Sequence, residues 1–152
     1  MELLGVSVKE CGNSGLSVGC GASAKATQCE FSENTTTGAT MFDGSKGIFT
    51  DCSFHHNEGS GVFAQKEGTL VEFRGEQTEI HHNGRDGLVS QFNATINIYI
   101  PSRTITALVH DQGSDPRTSD LWTCDGGKIR SQLSSSSLEL TIIHEAAPEG
   151  DD

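Results

Sequence analysis

One six-residue pattern returns at a fixed distance through the first two thirds of the chain, and that spacing constrains the fold more than any other feature. Cys29-Glu-Phe31-Ser-Glu-Asn34 recurs as Cys52-Ser-Phe54-His-His-Asn57 and as Thr78-Glu-Ile80-His-His-Asn83, after a worn first copy at Val6-Ser-Val8-Lys-Glu-Cys11. Four residues beyond the last position of each copy stands a glycine: Gly15, Gly38, Gly61 and Gly87. The hydrophobic register Val8, Phe31, Phe54, Ile80 therefore advances by 23, 23 and 26 residues. A fixed period of this size is the mark of a stacked repeat, in which each unit buries its apolar face only against its neighbours.

Within each repeat, short alternating stretches are separated by Gly, Asn, Asp and Ser, which is strand-and-turn chemistry. Cys29-x-Phe31 and Cys52-x-Phe54 put alternate side chains on one face of a strand. A second strand follows each glycine, with inward pairs Leu16 and Val18, Ala39 and Met41, Val62 and Ala64, Leu88 and Ser90. A third, weaker strand is expected near Ile48–Thr50, Leu70–Phe73 and Thr95–Tyr99. Helical periodicity is missing over residues 1–101. Three strands per period of about 23 residues make an all-β, right-handed, single-stranded parallel β-helix of about four coils. Coils stacked at the strand spacing of about 4.8 Å turn the period into a map of neighbours.

That map gives the asparagines a role. Asn34, Asn57 and Asn83 share one turn position, where an inward amide bonds the amide one coil away and tolerates left-handed backbone. Phe31, Phe54 and Ile80 form the apolar column beside them. On these asparagines, the following glycines and the flanking strands, residues 6–100 resemble the parallel β-helix repeats of pectate lyases and related carbohydrate-active proteins. The resemblance implies an outer groove with acidic residues and an Arg or Lys, and a calcium-binding carboxylate cluster if the chain were a lyase. The candidates are Asp43, Asp51, Glu72 and Asp86, with Lys46, Lys66, Arg74 and Arg85 as cations; Asp43, Arg74, Arg85 and Asp86 head the set. The paired aspartates and Arg-Ile-Lys segment of polygalacturonases are absent; Lys128-Ile-Arg130 only echoes the latter and is read as lying outside the repeats.

After Pro101 the period fails. Residues 102–144 read as an irregular last coil plus a C-terminal cap, with strands at Ser102–His110 and Leu138–Ile143 and a turn at Asp125-Gly126-Gly127. Residues 145–152, acidic and small, read as a disordered tail. Trp122, the only tryptophan, is assigned as a plug over the final coil; the alternative is a sugar-stacking platform. At the other end, Met1–Gly5 is too short for the amphipathic capping helix usual before such repeats. An open first coil invites edge pairing: either the chain is cut from a longer solenoid, or a second copy covers the first coil, by end-to-end association through residues 1–12.

The histidines fall into the same register: His55 should lie beside His81, and His56 beside His82. Stacked imidazoles would offer a zinc, copper or nickel site if a carboxylate such as Glu58 joined them, or a pH-sensitive patch. The preferred reading is plainer, two exposed turn residues copied by duplication. Cys29 and Cys52 also share an inward position, where an in-register parallel pair has poor dihedral geometry for a disulfide; free thiols packing as small hydrophobes are expected. Cys11 is expected to be another buried filler. Asn34-Thr-Thr36 and Asn93-Ala-Thr95 match the glycosylation sequon, the first at an inward position.

Composition narrows the partners. Only 34% of residues are hydrophobic and 6% aromatic, with 18 glycines, which suits a thin solenoid better than a globule with one thick core. The net charge of −11 argues against nucleic acid, which needs clustered Lys and Arg. No apolar run approaches the roughly 20 residues that span a bilayer, and no secretory leader or zinc spacing is legible, slightly favouring a cytoplasmic protein. The leading functional reading is a non-catalytic interaction module for a glycan or protein partner, without a cofactor. The alternatives are a carbohydrate-active enzyme (lyase, epimerase or hydrolase) or a fragment of one, and a spacer within a larger solenoid.

Overall fold

The computed structural model describes residues 1–100, 108–110, 112–113, 119–132 and 139–142. The chain winds as a parallel β-solenoid with three strands per round. The first round is β1 (Glu2–Leu4), β2 (Ser7–Lys9) and β3 (Leu16–Val18). The second is β4 (Ser23–Thr27), β5 (Glu30–Ser32) and β6 (Ala39–Phe42), and the third β7 (Lys46–Thr50), β8 (Ser53–His55) and β9 (Val62–Gln65). The fourth is β10 (Leu70–Arg74), β11 (Glu79–His81) and β12 (Leu88–Gln91). A wider round follows, β13 (Thr95–Tyr99), β14 (Val109–His110) and β15 (Leu121–Cys124), after which β16 (Lys128–Gln132) rejoins the first side and β17 (Glu139–Ile142) returns antiparallel to it.

Equivalent strands form three sheets. Sheet A runs β1-β4-β7-β10-β13-β16-β17, sheet B β14-β11-β8-β5-β2 and sheet C β15-β12-β9-β6-β3. The register is the one the period implies: Val8 pairs Phe31, Phe31 pairs Phe54 and Phe54 pairs Ile80. A register fixed on three sides lets inward residues stack on their own equivalents. Phe31 and Phe54 lie flat on one another at 5.0 Å between ring centres, and Phe49 meets Phe54 edge-on at 5.1 Å. These geometries suit the quadrupoles of the rings. Phe31, Phe49, Phe54 and Phe73 are fully buried, so four aromatic side chains fill much of a thin core.

The asparagine ladder is present. Asn57 Nδ2 donates to Asn83 Oδ1 (2.9 Å) and to the Phe31 carbonyl (3.1 Å), and Asn34 Nδ2 donates to Asn57 Oδ1 (2.9 Å). The left-handed backbone, however, belongs to the preceding residue: Glu10, Glu33, His56 and His82 have φ of 57°, 56°, 54° and 51°. Their side chains leave the solenoid, which frees the next residue to turn its amide inward. The glycines after the ladder are required by close approach. A Cβ on Gly61 would lie 2.7 Å from the Gly87 carbonyl oxygen and 3.0 Å from Asn83 Nδ2.

Several expectations need correction. The third strand is the longest of the three, five residues in β4, β7, β10 and β13, and it also exists in the first two rounds as β1 and β4, the latter built of small and polar residues. The last coil expected past Pro101 takes the form of a wider round, in which Val109 pairs Ile80 and Leu121 pairs Leu88. Lys128–Gln132 lies inside the stack, paired parallel with β13. Within Ser102–His110 the described strand is Val109–His110, while residues 102–107 and the 145–152 tail fall outside the described residues. Trp122 is no plug: its neighbours Leu121 and Thr123 pair with core positions Leu88 and Ser90, so Trp122 faces outward beside Val89. Cys11 is half-buried rather than buried. Cys29 and Cys52 are buried free thiols. Among the described residues no helix is long and apolar enough to cross a membrane.

Candidate functional site

Each sheet presents an outer face built by columns of equivalent residues, and the three faces differ in chemistry.

The strands of sheet C contain no charged residue: Leu-Ser-Val, Ala-Thr-Met-Phe, Val-Phe-Ala-Gln, Leu-Val-Ser-Gln and Leu-Trp-Thr-Cys. In a chain of net charge −11 this is a deliberate segregation. Alternation turns Phe63, Val89 and Trp122 outward in register, one per round. Val89 is only 2% exposed yet stands outside the core cluster, so it is covered on the outer face between two half-exposed aromatic neighbours. Beside this column runs a second one, Phe42, Gln65, Gln91 and Cys124. Gln91 Nε2 donates to Gln65 Oε1 at 3.2 Å, and the Cys124 thiol to Gln91 Oε1 at 3.6 Å. Burial pushes that thiol up to about 11, with the adjacent Asp125 adding to it. The face thus combines flat apolar rings with amides, and carries no ion.

Sheet A is the opposite. Its central outward column is Lys25, Ile48, Glu72, Asn97 and Arg130. Glu72 is only 7% exposed. Arg74 Nη2 reaches its Oε2 at 2.8 Å and Lys46 Nζ its Oε1 at 3.5 Å. The Arg74 guanidinium in turn lies 5.5 Å from the centre of the Tyr99 ring, a cation–π contact. Arg130 Nε is buried, with no hydrogen-bond partner among the described residues. Arg130 belongs to the segment read from sequence as outside the repeats; only the pairing of β16 with β13 brings it into this column.

Sheet B carries the histidines. His55 stacks on His81 at 5.1 Å with planes 2° apart, and His56 on His82 at 5.2 Å and 4°. A fifth ring missed from sequence, His110, extends the first column at 5.6 Å from His81. Parallel rings aim their lone pairs side by side rather than at one point, and among the described residues no group of three or more His, Cys, Asp or Glu is placed to hold a metal ion. Burial first, then the imidazoles of His55 and His82, hold the His81 pKa below its ordinary value. Next to them, Glu30 accepts from Ser7 Oγ and Ser32 Oγ and from His55 Nε2 at 2.9 Å; the Ser7 bond is the largest influence holding its carboxyl below the usual range.

Of the candidates taken from the carbohydrate-active resemblance, Glu72, Lys46 and Arg74 come together on sheet A, and the others lie apart from them. Asp43 sits in the turn between sheets C and A, ion-paired to Lys66 at 2.6 Å. Arg74 ends β10 at the corner between sheets A and B. Arg85 and Asp86 occupy the corner between B and C, where Asp86 Oδ1 accepts from the Ser119 backbone N–H and hydroxyl at 2.9 Å. Asp51 Oδ1 accepts from the Gln77 amide. Asp43, Asp51 and Asp86 thus all tie one segment of the solenoid to another.

The comparisons with known proteins bear on the coils. Residues 2–107 match a family model described as a right handed beta helix region. No curated protein and no solved structure matches the chain.

Proposed function

The chain belongs to the right handed β-helix family, and on that footing we propose that it is a non-catalytic interaction module that binds a neutral glycan along the outer face of sheet C. One observation carries the reading: an uncharged column of Phe63, Val89 and Trp122, flanked by the amides of Gln65 and Gln91, on a strongly acidic chain. The C–H face of a pyranose ring packs on an aromatic face, while amides and the indole N–H bond its hydroxyls. Columns one strand spacing apart let successive sugars lie along the solenoid axis. An acidic polymer is disfavoured by the net charge, and a neutral one is not.

Affinity electrophoresis on a panel of neutral polysaccharides tests it. At least one polymer should retard the protein, and Trp122→Ala should weaken retention about tenfold, the loss of an anchor worth about 1.4 kcal/mol. A panel that leaves folded protein unretarded, or Trp122→Ala binding as well as the parent, refutes it.

A second reading, a carbohydrate-active enzyme, is favoured by the buried Glu72 with Lys46, Arg74 and the orphan Arg130 Nε on sheet A. New products from a polysaccharide incubation, lost in Glu72→Gln, would replace the first reading with this one.

A further inference from the structure

Glycan binding on sheet C makes no use of the five imidazoles on sheet B. In the third round His55 Nδ1 and His56 Nδ1 are 2.8 Å apart, and in the fourth His81 Nδ1 and His82 Nδ1 are 2.7 Å apart. Two ring nitrogens at that distance share one hydrogen, one donating and the other accepting. In the third round the assignment is forced. His55 Nε2 faces a Glu30 oxygen at 2.9 Å and must carry its hydrogen. The neutral ring then accepts at Nδ1, and His56 Nδ1–H donates to it. A first added proton enters at His56 Nε2 and leaves that bond intact. A second must enter at His55 Nδ1, which turns the acceptor into a donor and breaks the bond.

The pairs are also stacked, so each round's charge is felt by the next. His81 has His55 and His110 on its two faces, His82 edge-on at 5.0 Å and His56 at 6.1 Å. Among the described residues of the strands, the other charged groups of this face are Lys9 on β2, Glu30 on β5, and Glu79 on β11, whose Oε2 is 3.8 Å from His81 Nε2. In the turn column, Glu10 and Glu33 hold in the first two rounds the position of His56 and His82. At His81, burial first and then the imidazoles of His55, His82 and His110 oppose a proton, while Glu79 favours it.

Among the described residues β14 closes this sheet, pairing Val109 with Ile80 and His110 with His81. Beside β14, Gln112 closes the ladder, accepting from the Asn83 backbone N–H and Nδ2 at 3.1 and 3.0 Å.

We propose that the histidine columns form an acid-sensitive latch on the last round. When the later protons enter, β14 and the Gln112 rung part from β11 and Asn83, while β15 and β16 stay paired. The uncovered edge of β11, Glu79–His81, is then open to pairing with an added strand.

Segment-resolved amide hydrogen exchange at about pH 7.5 and about pH 5, across the range where histidines titrate, tests the latch. After correction for intrinsic rates, protection over residues 108–113 should fall about tenfold for each imidazole displaced by one unit. Protection over 121–124 and the emission of the single tryptophan, Trp122, should hold constant. His110→Asn, folded at neutral pH by circular dichroism, should keep 108–113 protected in acid, and His82→Asn, which alters an exposed ring, should move the opening to lower pH. Equal protection at the two pH values, opening undiminished in both variants, or loss at 121–124 together with 108–113 overturns the proposal. No glycan enters the experiment, so its outcome is independent of the sheet C reading.

Discussion

Replacing Asn57 by alanine removes four hydrogen bonds from the middle of the ladder. Its Oδ1 accepts from the Asn34 backbone N–H (3.1 Å) and Nδ2 (2.9 Å), and its Nδ2 donates to the Phe31 carbonyl (3.1 Å) and Asn83 Oδ1 (2.9 Å). Asn57 is 1% exposed and Asn34 fully buried, so water cannot take the vacated places. At about 1 kcal/mol net per bond, the loss is about 4 kcal/mol. Asn34→Ala is the internal control. Asn34 accepts from the Cys11 N–H at 3.1 Å beside a half-exposed first round, and its second donation, to Val8, is at the 3.5 Å limit. Two good bonds are lost there, about 2 kcal/mol. For a chain near 150 residues, 1 kcal/mol moves Tm by about 2–4 °C, so the shifts should be roughly 8–16 °C and 4–8 °C. Thermal melts followed by far-UV circular dichroism read both. If Asn34→Ala proves as damaging as Asn57→Ala, or Asn57→Ala shifts Tm by under about 3 °C, the ladder is not the axial clamp argued here.

Gly61→Ala should destabilise the solenoid by about 2 kcal/mol or more, because its Cβ meets a backbone carbonyl that cannot yield; an unchanged melt contradicts the close-packing argument. Glu30 has a folded pKa lowered below its ordinary 4.5, so its contribution is present above that pH and lost as pH falls through the folded value. Ser7→Ala, which deletes its largest support, should raise the midpoint of acid unfolding, and an unmoved midpoint counts against it. Burial lifts the Cys52 thiol to about 11, and Cys20 is exposed, so peptide mapping after thiol alkylation should find Cys20 labelled first and Cys29 and Cys52 only after unfolding. β1, β2 and β3 are the terminal described strands at one end of the three sheets, with Met1, Leu4 and Val6 exposed around them. If two copies of the 152-residue chain associate end to end through residues 1–12, the sedimentation mass should rise with concentration and Leu4→Lys should abolish the rise; a constant monomer mass ends the idea.

Inward columns were readable from the sequence wherever the period held, because in a β-solenoid the residue one period away is the residue overhead. Phe31 over Phe54 and Asn34 bonded to Asn57 follow from a spacing of 23 residues alone. Outward columns were harder to use. The positions of Phe63 and Val89 followed from alternation, but nothing local shows that Val89 is covered or that sheet C is free of charge. Glu72 was one of several scattered carboxylates until Lys46 and Arg74 closed on it.

The sequence by itself determined the unit: its length, its inward residues, and the glycines that let one carbonyl pass under another. It did so because each round packs only on its neighbours, so local spacing and long-range contact are the same information. Only the tertiary structure decided where the last round lies. There the step widens to 29 residues between Asn83 and Gln112 and 33 between Asp86 and Ser119, and glutamine replaces asparagine as the rung. The longer step erases the spacing without disturbing the pairing, since β14, β15 and β16 remain in register with β11, β12 and β13. His110, Trp122 and Arg130, one on each face, owe their places to that pairing rather than to any period in the chain.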